Sequence, residues 1–211
     1  MTAHHAGASR TRAQRSQDSR AQILDAAVVC LIEGGYSGAT TLTIQGEAGV
    51  SRGRLLHHFP SRDRLLVAAA QHLAVKRVAD TERRITRLLD GGPVPVGPWE
   101  RCDRVIELLW ESFTEPHFWA ALELWTAARS NAEIAEALRP EERRLGAAIR
   151  ASMARMFGDE LAARPRFKQL RDVLMTSMRG TAMTYTFDPR DPASDAMLAQ
   201  WKDLARALLA K

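Results

Sequence analysis

The sequence is poor in cysteine and contains no long apolar run, and each absence excludes a class of protein. Only two cysteines, Cys30 and Cys102, occur among the 211 residues. A disulfide framework is therefore not indicated, and we expect both to be small buried side chains. No apolar stretch approaches the ~20 residues of a membrane-spanning helix, and the N-terminus lacks the apolar core of a signal peptide. We expect a cytoplasmic protein with no membrane partner.

The motifs of common catalytic and cofactor sites are also missing. The chain has no Gly-x-Ser-x-Gly elbow, Walker loop, dinucleotide fingerprint or His-Glu-x-x-His motif. The stretch 91–98 (GGPVPVGP) has no lysine, and its prolines remove the N–H donors that a phosphate would need. We interpret it as a linker. An all-helical enzyme remains the less favoured alternative, and we expect no cofactor.

What the sequence does contain is helical periodicity along nearly the whole chain. Apolar residues recur at three- and four-residue spacing, without the sustained alternation of a strand. This pattern predicts an all-α fold of about nine helices. The first helix should run from about Ala21 to Glu33 and end at Gly34 and Gly35, and a long helix should begin near Ser61.

Positive charge is concentrated at the N-terminus of a chain whose formal net charge is +5. Four arginines, at positions 10, 12, 15 and 20, face only one aspartate there, Asp18. Such a basic tail is usually disordered and solvated. The alternative is an arm that follows nucleic-acid phosphates or enters a minor groove.

The segment 48–59 (AGVSRGRLLHHF) joins two short predicted helices. Thr40 or Thr41 can cap the first, because a threonine oxygen satisfies an unpaired backbone N–H. Gly49 suits the left-handed residue of a tight turn, and Ser51 can cap the second helix. Two short helices joined by a turn that contains glycine form a helix-turn-helix, whose second helix can enter a major groove.

The residue types in the second short helix fit contact with DNA. Arg52 and Arg54 lie near its N-terminus, where such motifs place base-reading side chains, and Gly53 lets the backbone approach the duplex. The neighbouring His57 and His58 raise the alternative of a metal site. Adjacent helical residues point ~100° apart, however, whereas a helical metal pair prefers i,i+4 spacing. We predict no metal site.

This stretch resembles the DNA-binding segment of the TetR family of transcriptional repressors, whose pattern is Ala-Gly-Val-Ser-x-Gly-x-Leu-Tyr-x-His-Phe. The sequence matches it at Ala48, Gly49, Val50, Ser51, Gly53, Leu55, His58 and Phe59, and Arg62 and Leu65 continue the match. It departs at Leu56, where the family has a tyrosine that often touches DNA, and at Gln45-Gly46, where the family has an alanine and its neighbour.

The resemblance implies a division of roles among these residues. Thr40, Thr41, Ser51, His57, His58 and Arg62 correspond to phosphate-contacting or capping positions, and Arg52, Gly53 and Arg54 to base-reading ones. It further implies a homodimer that binds a palindromic operator in double-stranded DNA. The predicted parts are a disordered basic arm at 1–19, a helix-turn-helix domain at 20–62, and a helical ligand-binding and dimerisation domain at 63–211.

The C-terminal part is rich in aromatic residues and methionine, which are usually core but can collectively line an apolar cavity for a small hydrophobic ligand. The candidate ligand-binding residues are Trp110, Phe113, Phe118, Trp119, Leu122, Trp125, Met153 and Met178. The polar groups that could orient a ligand are His117, Glu123, Arg129, Thr176 and Tyr185. The alternative is a constitutive DNA-binding protein whose C-terminal part only dimerises or docks another protein.

The last two long helices are the candidate dimer interface, again by resemblance to the family. Their candidate interface residues are Met178, Trp201, Leu204 and Leu208. The alternative is that this face packs within its own monomer.

Overall fold

The computed structural model describes residues 12–90 and 97–210, and all the regular structure in these ranges is helical. The predicted all-α fold is therefore confirmed. Ten α-helices and a short 3-10 turn at Pro192–Ser194 make up the described chain. The helices are α1 (Arg12–Gly38), α2 (Thr41–Ala48), α3 (Arg52–His58), α4 (Arg62–Asp90), α5 (Pro98–Ser112), α6 (Pro116–Ala128), α7 (Ala132–Phe157), α8 (Asp159–Ala162), α9 (Phe167–Thr184) and α10 (Ala196–Leu209).

Helix α1 is longer at both ends than the sequence pattern indicated. It begins at Arg12, so the expectation of disorder is wrong for residues 12–19, while residues 1–11 of the arm lie outside the described residues. Alanine, glutamine and arginine at the start of α1 are good helix formers, and the Arg20 guanidinium lies 5.2 Å from the Phe59 ring centroid. The helix breaks at Gly35, as predicted, where φ is 61°, and a last turn continues to Gly38.

Two apolar cores organise the molecule. The first core contains side chains from the four helices α1, α2, α3 and α4. It also contains four side chains of α6 and α7, namely Ala120, Leu124, Ile134 and Leu138. Helices α1 and α4 pack against α6 and α7, so these two helices join the helix-turn-helix to the C-terminal part of the chain. The second core lies among α5, α6, α7, α9 and α10, with Trp110 and Trp201 near its centre, their ring centroids 4.9 Å apart.

The two cysteines follow the expectation in part. Cys102 is fully buried in the second core, and this burial raises the pKa of its thiol to about 12. Cys30 is half-buried, and the loss of solvent raises its pKa as well. Across the described ranges no helix combines the length and apolarity that crossing a membrane requires.

Candidate nucleic-acid interface and ligand cavity

Helix α2 is held by a capping box at its N-terminus. The Thr40 hydroxyl accepts from Thr43 N at 3.1 Å, and the Thr43 hydroxyl accepts in return from Thr40 N at 2.9 Å. The cap predicted at Thr40 is therefore present, whereas Thr41 is the half-buried first residue of the helix. Thr43 was missed, although its spacing of three residues from Thr40 was the available signal. At the other end Gly49 adopts the predicted left-handed conformation, with φ 59°.

Helix α3 begins immediately after its cap, Ser51, whose hydroxyl accepts from Arg54 N at 3.3 Å. Leu55 is buried beneath the helix and fixes its rotation. Arg52, Gly53 and Arg54 consequently lie together on the exposed surface at the start of α3. The structure thus brings together the three residues expected to read bases.

The two histidines at the end of α3 have different environments. His57 is exposed, whereas His58 is half-buried, and their ring centroids are 5.3 Å apart. Burial lowers the pKa of His58, and the positive charges of His57, Arg20 and Arg54 lower it further. Among the described residues no group of three or more His, Cys, Asp or Glu is arranged to hold a metal ion.

Arg62 turns inward, and its predicted contact with phosphate stays a prediction. Its Nε donates to Ala39 O at 2.7 Å, its Nη2 donates to Tyr36 O, and its guanidinium carbon lies 4.2 Å from the Tyr36 ring centroid. Arg62 therefore caps one carbonyl in the last turn of α1 and one just after the helix ends, where carbonyl groups have no partner within the helix. Its other predicted role, capping, is the one that the geometry matches.

A polar junction around Arg62 ties the helix-turn-helix to the rest of the chain. Tyr36 donates through its hydroxyl to Asp63 Oδ1 at 2.9 Å, and Asn131 Nδ2 donates to Asp63 Oδ2 at 2.8 Å. Glu123 of α6 accepts from Tyr36 N at 2.9 Å, beside the break at Gly35. Sequence reasoning missed this junction, because its members lie far apart along the chain.

A cavity of about 300 Å³ lies among α4, α5, α6, α7 and α9. Four of the eight predicted ligand-binding residues line it: Phe113, Phe118, Trp125 and Met153. Additional apolar side chains complete the wall, namely Leu109, Leu145, Ile149, Met156 and Met175. A volume near 300 Å³ is at the small end of the usual range for ligand sites.

The other four predicted residues do not line the cavity. Trp110 is buried in the second core, where its Nε1 donates to Pro192 O at 2.8 Å. Met178 is fully buried in the same core, and Trp119 and Leu122 pack against its edge. Helical spacing marked all four as apolar-facing, but it could not distinguish the core from the wall of a cavity.

Only one of the five predicted polar groups, His117, lines the cavity. Glu123 belongs to the junction, and Tyr185 donates to Asp195 Oδ2 at 2.7 Å. Burial and this hydrogen bond raise the pKa of Tyr185 to about 12. Arg129 and Thr176 are exposed and lie away from the cavity. The ionisable residues that join His117 in the lining were missed: Glu142, Arg150, Arg171, Asp172 and Arg179.

The predicted dimer residues pack within their own chain. Met178, Trp201 and Leu208 are buried in the second core, and Leu204 is half-buried against it. Trp201 also donates from Nε1 to Ser177 Oγ at 2.9 Å. These side chains pack as the alternative interpretation expects, and their part in a dimer stays a prediction. The exposed apolar residues near the same helices are Val173, Met183 and Phe187.

Comparison with known protein families agrees with the geometry of the N-terminal helices. The profile of the family described as "Bacterial regulatory proteins, tetR family" matches residues 23–69. The transcriptional regulator CymR of Pseudomonas putida is 29% identical over 61% of this chain and 60% of its own length. The transcriptional repressor AcnR of Corynebacterium efficiens is 31% identical over 54% of this chain and 59% of its own length. The chain thus spans about three fifths of these two relatives.

Solved structures extend the likeness of fold to nearly the whole chain. A Rhodococcus protein assigned to the TetR family superposes with a TM-score of 0.67, at 20% identity, over 92% of this chain and 99% of its own. The multidrug binding protein EbrR, solved with imidazole, gives a TM-score of 0.61, at 22% identity, over 90% and 94%. The relatives, the helix-turn-helix and the all-helical fold agree, and residues 23–69 carry the DNA-binding helices of the tetR family of bacterial regulatory proteins.

Proposed function

We propose that this protein is a transcriptional repressor that binds a palindromic operator as a homodimer and is released by a small ligand. The observation that carries the proposal is the exposure of Arg52, Gly53 and Arg54 together at the start of α3. Arginine can donate two hydrogen bonds to a guanine edge in the major groove, and the glycine between the two arginines leaves room for the duplex. Such a protein acts in the cytoplasm, where the DNA lies.

A second copy of the chain supplies the second recognition helix, because a palindromic site presents two half-sites about one helical turn apart. The exposed stripe of α9 and the loop after it, formed by Val173, Gly180, Met183 and Phe187, is the face that we assign to this dimer. Apart from the chain neighbours of Gly180 and the backbone of its own helix, nothing lies within 4 Å of the place that a β-carbon would take there, so a partner helix can approach closely.

The course of α4 supports release by a ligand. The N-terminal part of this helix contributes Leu65 and Leu66 to the first core, and further along it contributes Ala74, Val78 and Thr81 to the cavity. A ligand that displaces the cavity side of α4 would therefore alter the position of α3. Because a ligand shifts an equilibrium only through unequal affinity for its two states, the effector must bind free protein more tightly than operator-bound protein.

The proposal is tested by selecting an operator from random duplexes with the full-length protein and comparing Arg54→Ala with the wild type. Loss of a base contact should cost ~1–3 kcal/mol on the operator and relax the preference at one base pair. Binding to random duplex should change much less. Equal losses on the operator and on random duplex would contradict base reading by Arg54.

The alternative of a constitutive DNA-binding protein is distinguished by the cavity. If compounds bind the cavity but never change operator affinity, the cavity has no regulatory role and the alternative replaces ligand-controlled release. The enzyme alternative is disfavoured, because the relatives described above are named as transcriptional regulators.

A further inference from the structure

The cavity carries both acidic and basic side chains, and the two kinds differ in whether the protein supplies them with partners. Its two carboxylates are already engaged by the protein. Glu142 accepts from Gln71 Nε2 at 2.9 Å, and Asp172 accepts from Lys168 Nζ at 2.9 Å and from Arg171 Nη2 at 2.8 Å. The hydrogen bonds from Lys168 and then Arg171 lower the pKa of Asp172. Both carboxylates are therefore occupied by donors that belong to the fold.

Two arginines of the same cavity, Arg150 and Arg179, are exposed to solvent, and their situation is the opposite of that of the carboxylates. Within residues 12–90 and 97–210, neither Arg150 nor Arg179 makes a hydrogen bond or an ion pair. The guanidinium carbon of Arg179 lies 4.5 Å from the Trp125 ring centroid. Stacking on the ring holds this group at the wall of the cavity, and its N–H donors at the edge stay available.

Arg150 is placed by a glycine one turn earlier on α7. Its Nη1 lies 3.2 Å from the position that a β-carbon would occupy at Gly146, and both residues line the cavity. A side chain at Gly146 would occupy the space into which this guanidinium folds. The cavity therefore presents two positively charged donor groups against a wall that is mostly apolar.

This arrangement fits a ligand with an apolar body and a single negative group. A neutral ligand would cover the guanidinium groups without pairing them, which is unfavourable, and a cationic ligand would be repelled. We propose that the cavity binds a small amphipathic monoanion, an aromatic or medium-chain carboxylate, and that Arg150 and Arg179 donate hydrogen bonds to its carboxylate. Arginine suits this task because its planar fork matches carboxylate geometry. The inference rests on the proposed function, in which this cavity is the effector site.

The first experiment compares matched acids and amides by calorimetry on the full-length protein. The probes are 2-naphthoate with 2-naphthamide, and 4-phenylbutyrate with 4-phenylbutyramide, and 4-phenylbutylamine serves as the cation. Each acid should bind about tenfold more tightly than its amide, because only the acid pairs with the guanidinium groups. The amine should bind more weakly than either.

The second experiment assigns the charge selectivity to the two arginines. Arg150→Gln and Arg179→Gln should each weaken binding of the acids about tenfold and leave binding of the amides nearly unchanged. The matched control is Arg143→Gln on the helix of Arg150, because Arg143 is exposed as Arg150 is but is not part of the cavity lining. Thermal unfolding of all three variants checks that they fold. Arg150→Gln leaves the stacking of Arg179 on Trp125 in place. This variant therefore separates the effect of lost charge from the effect of lost packing.

The outcomes distinguish this inference from the function on which it rests. Equal affinity for acids and amides, or unchanged acid affinity in both cavity variants, overturns the anion site. If an amide or the amine binds tightly and releases the operator, ligand-controlled repression stands and the anion site fails. If the acids bind through both arginines but leave operator affinity unchanged, the anion site stands and the release mechanism fails.

Discussion

Gly53 lies in α3, and apart from its chain neighbours and the backbone of its own helix, nothing lies within 4 Å of the place that a β-carbon would take. The fold itself therefore does not require a glycine here, and a glycine inside a helix costs ~1 kcal/mol relative to alanine. Gly46 in α2 has the same open surroundings. The two positions differ only in what they face, because Gly53 lies between the two arginines that are expected to read bases.

Gly53→Ala and Gly46→Ala should consequently have equal effects on stability and unequal effects on DNA binding. We expect each to raise the free energy of unfolding by up to ~1 kcal/mol. Only Gly53→Ala should lose operator affinity, because its methyl group occupies space reserved for the duplex. Chemical denaturation and operator titration of both variants measure this. Undiminished operator affinity in Gly53→Ala would mean that α3 does not approach the duplex at this residue.

His58 should make stability depend on pH. Burial lowers the pKa of this imidazole in the folded state below its usual value near 6.5. The folded state thus favours the neutral form, and this contribution is present above pH ~6.5 and is lost as the pH falls through the folded-state pKa. Wild-type protein should therefore lose unfolding free energy more steeply than His58→Gln between about pH 7 and pH 5. Parallel pH profiles of the two proteins would show that His58 does not contribute.

At the scale of the helices, the inward position of Arg62 joins the end of α1 to the start of α4. Arg62→Ala should lower the free energy of unfolding by about 2 kcal/mol, because two carbonyl groups lose a charged donor. Arg62→Lys keeps the charge but not the planar fork, so it should recover little of this loss. The salt dependence of operator binding should stay unchanged in both. A phosphate contact would instead reduce the slope of log K against log salt by ~0.9 in Arg62→Ala and leave unfolding unaffected.

Helix ends show how far sequence reasoning could reach. The caps at Thr40 and Ser51 and the turn at Gly49 were predictable because each depends on residues within a few positions of one another. The break at Gly35 was predictable for the same reason. The turn that follows it was not, because Tyr36 N bonds to Glu123, which is 87 positions away. Contacts over such distances leave no periodic signal in the sequence.

The same limit explains the candidate sites. The exposed residues of α3 were found together because one short segment carries them all. Only four of the eight predicted ligand-binding residues line the cavity. Helical periodicity identifies the inward face of a helix, but it does not show whether that face lines a cavity or packs against other side chains. Met153 lines the cavity, whereas Met178 packs against other side chains of the core. The same limit applies to the predicted dimer residues, because periodicity does not distinguish contact with a partner chain from packing within the protein's own core.

At the scale of the whole molecule, the dimer face can be tested with charge substitutions. Met183 is 45% exposed in a single chain, so Met183→Asp should leave the monomer folded and bury an unpaired charge only in the dimer. We expect folded monomers with reduced operator affinity by sedimentation and operator titration. Val75→Asp on α4, where the side chain is 56% exposed, is the matched control and should remain dimeric. A dimeric Met183→Asp protein would place the interface elsewhere.

The first core has a consequence for protein engineering. Ala120, Leu124, Ile134 and Leu138 come from α6 and α7 but complete the apolar core of the first four helices. A fragment that ended within α4 would expose that core to water and should aggregate or unfold. We therefore expect that the DNA-binding helices do not fold independently of the rest of the chain. A chimera that grafts the first four helices onto another sensor would have to transplant these four side chains with them.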